Sequence, residues 1–544
     1  MSGWNTAFLC VTLFTAALSL PKDSPLRRSA ARKLTKKEEQ RLLAAIILLA
    51  LWARVWRFGA VPGGINQDGA MAAVDAKALA DYGTDRYGMR LPVYFTAWGY
   101  GQMSVMMSYL MAPLIRLFGL NVYTLRLPCL LCSLIGLGAL YLFARNCWGR
   151  STALWVLFFA AVDPWHVMQS RWALDCNLYP HFMMAGLWLL EKGAAGKKGC
   201  LWASMAVFGL SVYTYGIAGY TTPLFLLLAC AALLRRRKVK WGEAALCAGI
   251  FLLIAWPFFA VLLINTFDLP TLSTPFFTAA RFPYTVRSSD LLFFSDDIPA
   301  QLRENCRNAF RLLVRQGKDL AWNDVEGFGT LYLFSLPLLL PGGFTLWQRR
   351  RESGSALVLL LFLTGVLNTL LVRGANVNRA NLVFYPMLLM VGVGIGRCAE
   401  KLRFGGAVTA AVYLCAFALF AHSYFGEWNE QIRWHFLADF GEAVTAVAET
   451  DADVYCITQD SQYATAANVS EILTLYYHEI DAGYYRGEDN TLPPYSARYR
   501  YGPSAAWPTE EQNAAYVVRK AEAPRFADDG YTVTYYGRFA VAVK

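Results

Sequence analysis

LLAAIILLALWARVWRFGAVPGGINQDGA, residues 42–70, is an apolar run that ends on an acid. Residues 42 to 58 have nearly the length of a membrane span, and Lys22, Arg27, Arg28, Arg32, Lys33, Lys36, Lys37 and Arg41 precede them. The excess of positive charge puts that linker in the cytoplasm, so the chain emerges on the external face at Asp68. Asp68 has no adjacent Lys or Arg, follows glycines that allow a tight turn, and opens a polar segment reaching Tyr100. Taken alone it is a solvated loop carboxylate. The rest of the chain supplies partners for it.

The composition excludes a soluble globule of ordinary kind. Of the 544 residues 56% are hydrophobic and 16% charged, and the apolar residues come in long runs separated by short basic clusters. A net charge of +11 carried in this way marks cytoplasmic loops of a polytopic membrane protein rather than a nucleic-acid surface. Most of the 12 cysteines lie in or beside apolar runs, so they form no disulfide framework. Cys129 and Cys132 share one predicted span and read as packing.

Working outward, residues 4–20 are expected to be an uncleaved span, because a cleaved signal would need a basic start that is missing. Basic clusters then mark the inner ends of later spans. Arg145 and Arg150 follow 125–144, Lys192, Lys197 and Lys198 follow 177–190, and Arg235 to Lys240 follow 219–234. Arg349 to Arg351 follow 329–347, and Arg397, Lys401 and Arg403 follow 382–396. Outward spans are expected at 152–165, 200–217, 242–264, 355–372 and 404–421. Parity holds only if Met103–Phe118, with Pro113 and Arg116, lies along the interface or re-enters instead of crossing. The total is about twelve spans of roughly 20 residues. The chain therefore divides into 1–41, an N-terminal span and basic linker; 42–421, a membrane helical bundle with its first external loop at 59–124; and 422–544, an external α/β domain. In that last part a strand is expected at Asp453–Thr458, a helix over Ser470–Ile480 capped by Ser470, and one or two strands over Tyr531–Val543.

On this topology polar residues converge externally. Asp163, His166, Arg171, Asp175 and Asn177 come from one connection, Arg281 and Arg287 from a long loop, and Asn376, Asn378, Arg379 and Asn381 from another. Carboxylates and arginines at one membrane face suit a site at the water interface, where a carboxylate acts on a hydroxyl and Arg holds a phosphate. Each has a plainer reading. Arg171 equally serves as a headgroup anchor, the asparagines around Arg379 as helix caps, and Asp163 before Pro164 as the end of a span. His166, with no second His near in sequence, reads as a satisfied residue rather than a metal ligand. Tyr94, Trp98 and Tyr100 either stack on sugar or belong to the aromatic belt.

The segments INQDGAMAAVDAKALADYGTDRYGMRLPVYF (65–95), MSYLMAPLIRLFGLNVYTLRLP (107–128), SRWALDCNLYP (170–180) and NVNRANLVFYP (376–386) together resemble bacterial glycosyltransferase family 39. Its members are GT-C enzymes related to protein O-mannosyltransferases and to the lipid A aminoarabinose transferase. The resemblance covers roughly residues 42–400. It implies a mainly α fold, a polytopic bundle of GT-C type with external juxtamembrane helices, and an essential acid in the first external loop, matched by Asp68. The usual pattern there is Asp-Glu, whereas this chain has Asp68-Gly69. It further implies inverting transfer of a hexose or pentose from a polyprenyl-phosphate donor to a hydroxyl of a protein, glycan or lipid, at the external face of a bacterial plasma membrane. Asp68 is then the base and Asp175 its helper, orienting the acceptor or holding a divalent cation. Arg171 and Arg379 stabilise the leaving phosphate, and Asn378, Tyr94 and Arg281 complete substrate binding. From other classes, a transporter or flippase of lipid-linked saccharides shares the spans and basic loops, and a sensor would use the tail alone. Loss of function in Asp68→Asn separates the transferase from the transporter.

Overall fold

The computed structural model describes residues 3–19, 35–98, 101–283, 291–402, 404–459, 467–509 and 513–544. Most of the basic linker, Tyr100, Arg287 and Arg403 lie outside the described residues.

Every apolar run expected to span is helical. In chain order the helices are α1 (Gly3–Ser19), α2 (Lys36–Val55), α3 (Gln67–Tyr82), α4 (Met106–Phe118), α5 (Val122–Trp148), α6 (Arg150–Val162) and α7 (Pro164–Gln169). They continue with α8 (Tyr179–Ala194), α9 (Lys198–Ser211), α10 (Ala218–Arg235), α11 (Trp241–Thr266), α12 (Ile298–Leu313) and α13 (Leu336–Gln348). Then come α14 (Ser353–Leu371), α15 (Val377–Ala380), α16 (Phe384–Lys401), α17 (Gly405–Phe425), α18 (Glu427–His435), α19 (Ala438–Ala448), α20 (Ala467–Tyr477) and the short α21 (Ala482–Tyr485), α22 (Tyr495–Arg498) and α23 (Ala523–Asp528).

Among the described residues six helical stretches are long and apolar enough to cross a bilayer: α5, α10, α11, α14, the α15–α16 stretch Val377–Lys401, and α17. The other helices at expected spans, α1, α2, α6, α8, α9 and α13, are shorter or carry charge in their first turns. At 13 residues α6 and α13 reach roughly 20 Å against a ~30 Å hydrocarbon core. Proline is the local cause at α6. Asp163 precedes Pro164, leaves the α region at ψ 131°, and caps α7 by accepting from His166 N–H at 3.2 Å.

The basic clusters gather at one end of the bundle. Glu39, near the start of α2, pairs with Arg145 at the end of α5 and Arg150 at the start of α6. Lys198 and Glu243 join the starts of α9 and α11 at 2.8 Å. Arg236 after α10 donates to Arg350 O, and Arg349 after α13 donates to Cys147 O on α5. The alternation read from charge is thus present in the packing.

At the opposite end the 59–124 segment folds as a platform. In α4, Met107, Met111 and Ile115 are buried at four-residue spacing, while Leu117 and Phe118 are exposed. Ser108 Oγ donates to Ala72 O at 2.7 Å and Arg116 to Ala80 O at 3.1 Å, so α4 lies on α3. It then turns at Gly119 into α5.

Beyond α17 the chain forms a five-stranded sheet. Its strands follow the short loop strands β1 (Tyr94–Thr96), β2 (Gln102–Ser104), β3 (Leu272–Ser273) and β4 (Thr278–Ala279). They are β5 (Val454–Thr458), β6 (Tyr499–Gly502), β7 (Ala514–Arg519), β8 (Thr532–Tyr536) and β9 (Phe539–Val543), in the order β6-β5-β7-β9-β8. β5 runs parallel to both neighbours, and β7, β9 and β8 are antiparallel. Ser470 is not a cap. Helix α20 starts before it, and its hydroxyl donates to Thr458 O at 2.8 Å.

Candidate active site

Asp68 sits in the first turn of α3, where free backbone N–H groups and the helix dipole favour negative charge. Asn66 caps the helix by accepting from Asp68 N–H at 2.9 Å. The indole Nε1–H of Trp98 donates to Asp68 Oδ1 at 2.6 Å. Trp98 is delivered by β1, which pairs with β2 and is tied back to α3 by the buried Arg86. That guanidinium pairs with Asp75 at 2.5 Å and donates to Thr96 O at 2.9 Å. Asp68 and Asp75 are seven residues apart, so they share one face of α3 and Arg86 holds the strand along it.

The approach to Asp68 is fixed by backbone capture. Arg126, 2% exposed, donates to the carbonyls of Phe58, Gly59, Pro62 and Gly64. Asn429 accepts from Gly63 N–H, and Ile65 N–H donates to Phe436 O, both from the segment after α17. Gly64 has φ 84°, and a Cβ there would lie 2.6 Å from Phe436 O, so only glycine fits.

Arg171 performs a similar task. It is fully buried and donates to the carbonyls of Ala53, Trp56 and Val61, with its guanidinium 4.9 Å from the Phe425 ring. Its guanidinium thus caps Ala53 at the C-terminal end of α2, where helix carbonyls lack partners, and holds the turn after it through Trp56 and Val61. Arg54 does the same with Ala50, Ala160 and Ala161.

Asp175 lies on the connection that follows Arg171, 8% exposed, and accepts from Cys176 N–H at 2.6 Å. A Cβ on Gly69 would meet Ala173 O at 3.0 Å, so this connection packs directly on the turn after Asp68. The Cys176 thiol reports the convergence: burial first, then the charges of Asp175 and Asp68 among others, push it well above its ordinary value. Asn381 Nδ2 donates to Cys176 O at 2.6 Å, which brings the 376–381 segment onto the same connection. There Asn376 caps α15 by accepting from Arg379 N–H, Asn368 Nδ2 donates to Arg379 O, and the Arg379 guanidinium donates to Arg373 O. Asn378 Oδ1 and Asn381 Oδ1 are buried without a hydrogen-bond partner.

The structure thus gathers Asp68, Trp98, Asp175 and the 376–381 segment. It places Tyr94 against α11, ring to ring with Phe258 at 5.7 Å. Arg281 is an exposed partner of Asp268 at 2.6 Å, beyond the β3–β4 hairpin. His166 does meet a second histidine: Tyr385 Oη lies 2.9 Å from His166 Nε2 and from His181 Nδ1. A tyrosine hydroxyl, not an ion, joins them. Among the described residues no three His, Cys, Asp or Glu converge to hold a metal.

Residues 102–261 match the family described as dolichyl-phosphate-mannose-protein mannosyltransferase. No curated protein matches the sequence. ArnT from Cupriavidus metallidurans, solved bound to undecaprenyl phosphate, superposes with a TM-score of 0.57 at 12% identity, over 94% of this chain and 98% of that one. The apo state of the same enzyme gives 0.56 at 13%, over 92% and 97%. The family match, the end-to-end superposition, the helical bundle and the platform that carries Asp68 together make this a membrane protein of the GT-C glycosyltransferase fold.

Proposed function

We propose that this protein transfers a sugar from a polyprenyl-phosphate donor to a hydroxyl acceptor at the external face of a bacterial plasma membrane. The observation that carries the reading is Asp68. It is a half-buried carboxylate at a helix N-terminus, held by an indole N–H, at the end of the bundle opposite the basic clusters. The undecaprenyl phosphate in the matching ArnT structure supports the donor class.

In this mechanism Asp68 Oδ2 accepts the acceptor hydroxyl's proton as that oxygen attacks the anomeric carbon. The bond to the lipid phosphate breaks on the opposite face, which inverts the centre, and the phosphate leaves with the electron pair. Help of this kind contributes ~10²- to 10⁴-fold. Asp175 orients the acceptor from the neighbouring connection. Arg379, near the buried Asn378 and Asn381 amide oxygens, faces the leaving phosphate, while Arg171 and Arg126 act by holding the backbone that positions Asp68. Among the described residues a divalent cation at this site would have the carboxylates of Asp68 and Asp175, without a third acid, Cys or His converging on it. The transporter alternative draws on the buried Arg54–His166–Tyr385–His181 cluster, but its members bond one another and helix carbonyls, which serves packing.

The test is transfer of radiolabelled sugar from polyprenyl-phosphate donors to membrane acceptors by purified protein. Asp68→Asn is expected to reduce it at least 100-fold. Undiminished transfer in that variant would overturn the mechanism.

A further inference from the structure

Away from Asp68, on the far flank of the 59–124 platform, a groove of about 700 Å³ opens between Tyr87 and the C-terminal domain. Its volume lies in the ~300–1,000 Å³ range of small-ligand clefts. The lining is unusual for its position. Tyr485, Tyr495, Tyr499 and Tyr501 form one continuous aromatic wall, with ring centroids 4.9 Å apart for Tyr485–Tyr495 and 5.1 Å for Tyr495–Tyr499. Tyr495 and Tyr501 hydroxyls meet at 2.9 Å, and Tyr485 Oη donates to Glu471 at 3.3 Å. Tyr87 closes the opposite rim, 48% exposed, with the Arg86 guanidinium stacked 4.5 Å from its ring. Arg486 gives two donors to Glu488 and keeps Nη1 buried without a partner.

Tyrosine rings lining one cleft, beside the carboxylates of Glu471 and Glu488, match one ligand chemistry well. The half-exposed Tyr87 ring offers surface to the C–H face of a pyranose, and phenol and carboxylate oxygens take its hydroxyls. A peptide strand would use a different surface. β6 is the terminal strand of the sheet, and its outer edge offers main-chain groups. The groove instead presents side chains.

We propose that this groove binds an oligosaccharide, and that, on the transferase reading above, the bound chain belongs to the acceptor. The link to the site runs through one residue: Arg86, next in chain to Tyr87 on the groove rim, is ion-paired with Asp75 and hydrogen-bonded to the strand that delivers Trp98.

The experiment is calorimetric titration of the full-length protein in nanodiscs, which avoids maltoside competition, with cellohexaose, maltohexaose and chitohexaose. At least one is expected to bind. Tyr87→Ala should weaken it at least fivefold, Ser496→Trp, which fills the groove from an exposed position, should abolish it, and Asp68→Asn should bind as wild type does. Thermal unfolding of each variant checks that it is folded. No binding by any of the three, or binding indifferent to both groove substitutions, overturns the proposal. So does binding of a polar, unstructured peptide in the groove where the saccharides fail. Saccharide binding together with transfer that survives Asp68→Asn removes the transfer mechanism and leaves the groove. Transfer that depends on Asp68 without groove binding does the reverse.

Discussion

Asp68 is followed by glycine where the family it resembles has a second acid, and the contact with Ala173 supplies the reason. At 3.0 Å from a Cβ, Ala173 O leaves no room for a side chain unless the connection bearing Asp175 backs away by a few tenths of an ångström. The site has exchanged a neighbouring acid for closer approach of a distant one. Gly69→Glu is therefore expected to lower transfer rather than restore a missing carboxylate, because it displaces Asp175; steady-state kcat/KM reads this. Trp98→Phe keeps the ring but deletes the 2.6 Å bond to Asp68. Hydrogen bonds to charged groups are worth ~1.5–3 kcal/mol. The expected loss in kcat/KM is about 10- to 100-fold, with the unfolding temperature nearly unchanged.

The element that orients Asp68 is the stretch from the end of α2 to the start of α3, and it is held by arginine side chains on backbone carbonyls rather than by a strand or helix. Arg126→Lys is the informative change. It keeps the charge but cannot reach four carbonyls with one rigid fork. Each carbonyl left unpaired costs ~1–3 kcal/mol, so the variant is expected to lose several degrees in thermal unfolding and to lower kcat/KM through Asp68 alone. This clamp also marks where sequence reasoning stops. Helices at 122–148 or 241–266 are legible because hydropathy and flanking charge are local properties, and Asp68 is legible because it is an acid where the chain leaves a span. The contacts of Arg171 are not legible, because an arginine near a membrane face looks the same whether it meets a ligand or the end of another helix. Its carbonyl partners at Ala53, Trp56 and Val61 lie more than a hundred residues away. Trp98 is a like case, 30 residues from Asp68 and brought to it by β1 and Arg86. Strand β7, AAYVVR, follows Asn513 but is a short apolar run whose periodicity does not separate strand from buried helix.

At the scale of the molecule, the C-terminal domain is braced on the platform by α20, which packs with α3 in one hydrophobic cluster through Ile472, Leu473 and Ala73. Just past the end of α20, His478 ties that helix to its surroundings: Nε2 donates to Val444 O on α19 at 2.9 Å, and Nδ1 lies 3.2 Å from Tyr499 Oη on β6. Burial lowers its pKa from 6.5 to about 4; the Val444 bond opposes this in part, and the charge of Arg498 adds a smaller lowering. A histidine held neutral in this way contributes stability above pH 6.5 and loses it as pH falls from 6.5 towards 4. The full shift corresponds to about 3 kcal/mol. Asp439 acts elsewhere on the scale. Burial raises it, but bonds from Arg538 outweigh that and hold it below 3.8, so its contribution is lost only below that pH. In the window from 6.5 to 4.5 His478 and the half-buried His435, which burial also lowers, both lose stability as pH falls, while Glu471 on α20, which burial raises, works the other way, so the contribution of His478 is read from its own variant. Thermal unfolding of the wild type should drop over that window, and His478→Gln, though less stable at pH 7.5, should show a flatter slope. Equal slopes would assign the acid sensitivity to other groups. Because α3 carries Asp68 at one end and α20 along its flank, unlatching at His478 also loosens the support of the site, so wild-type kcat/KM should fall in the same window more steeply than that of the glutamine variant.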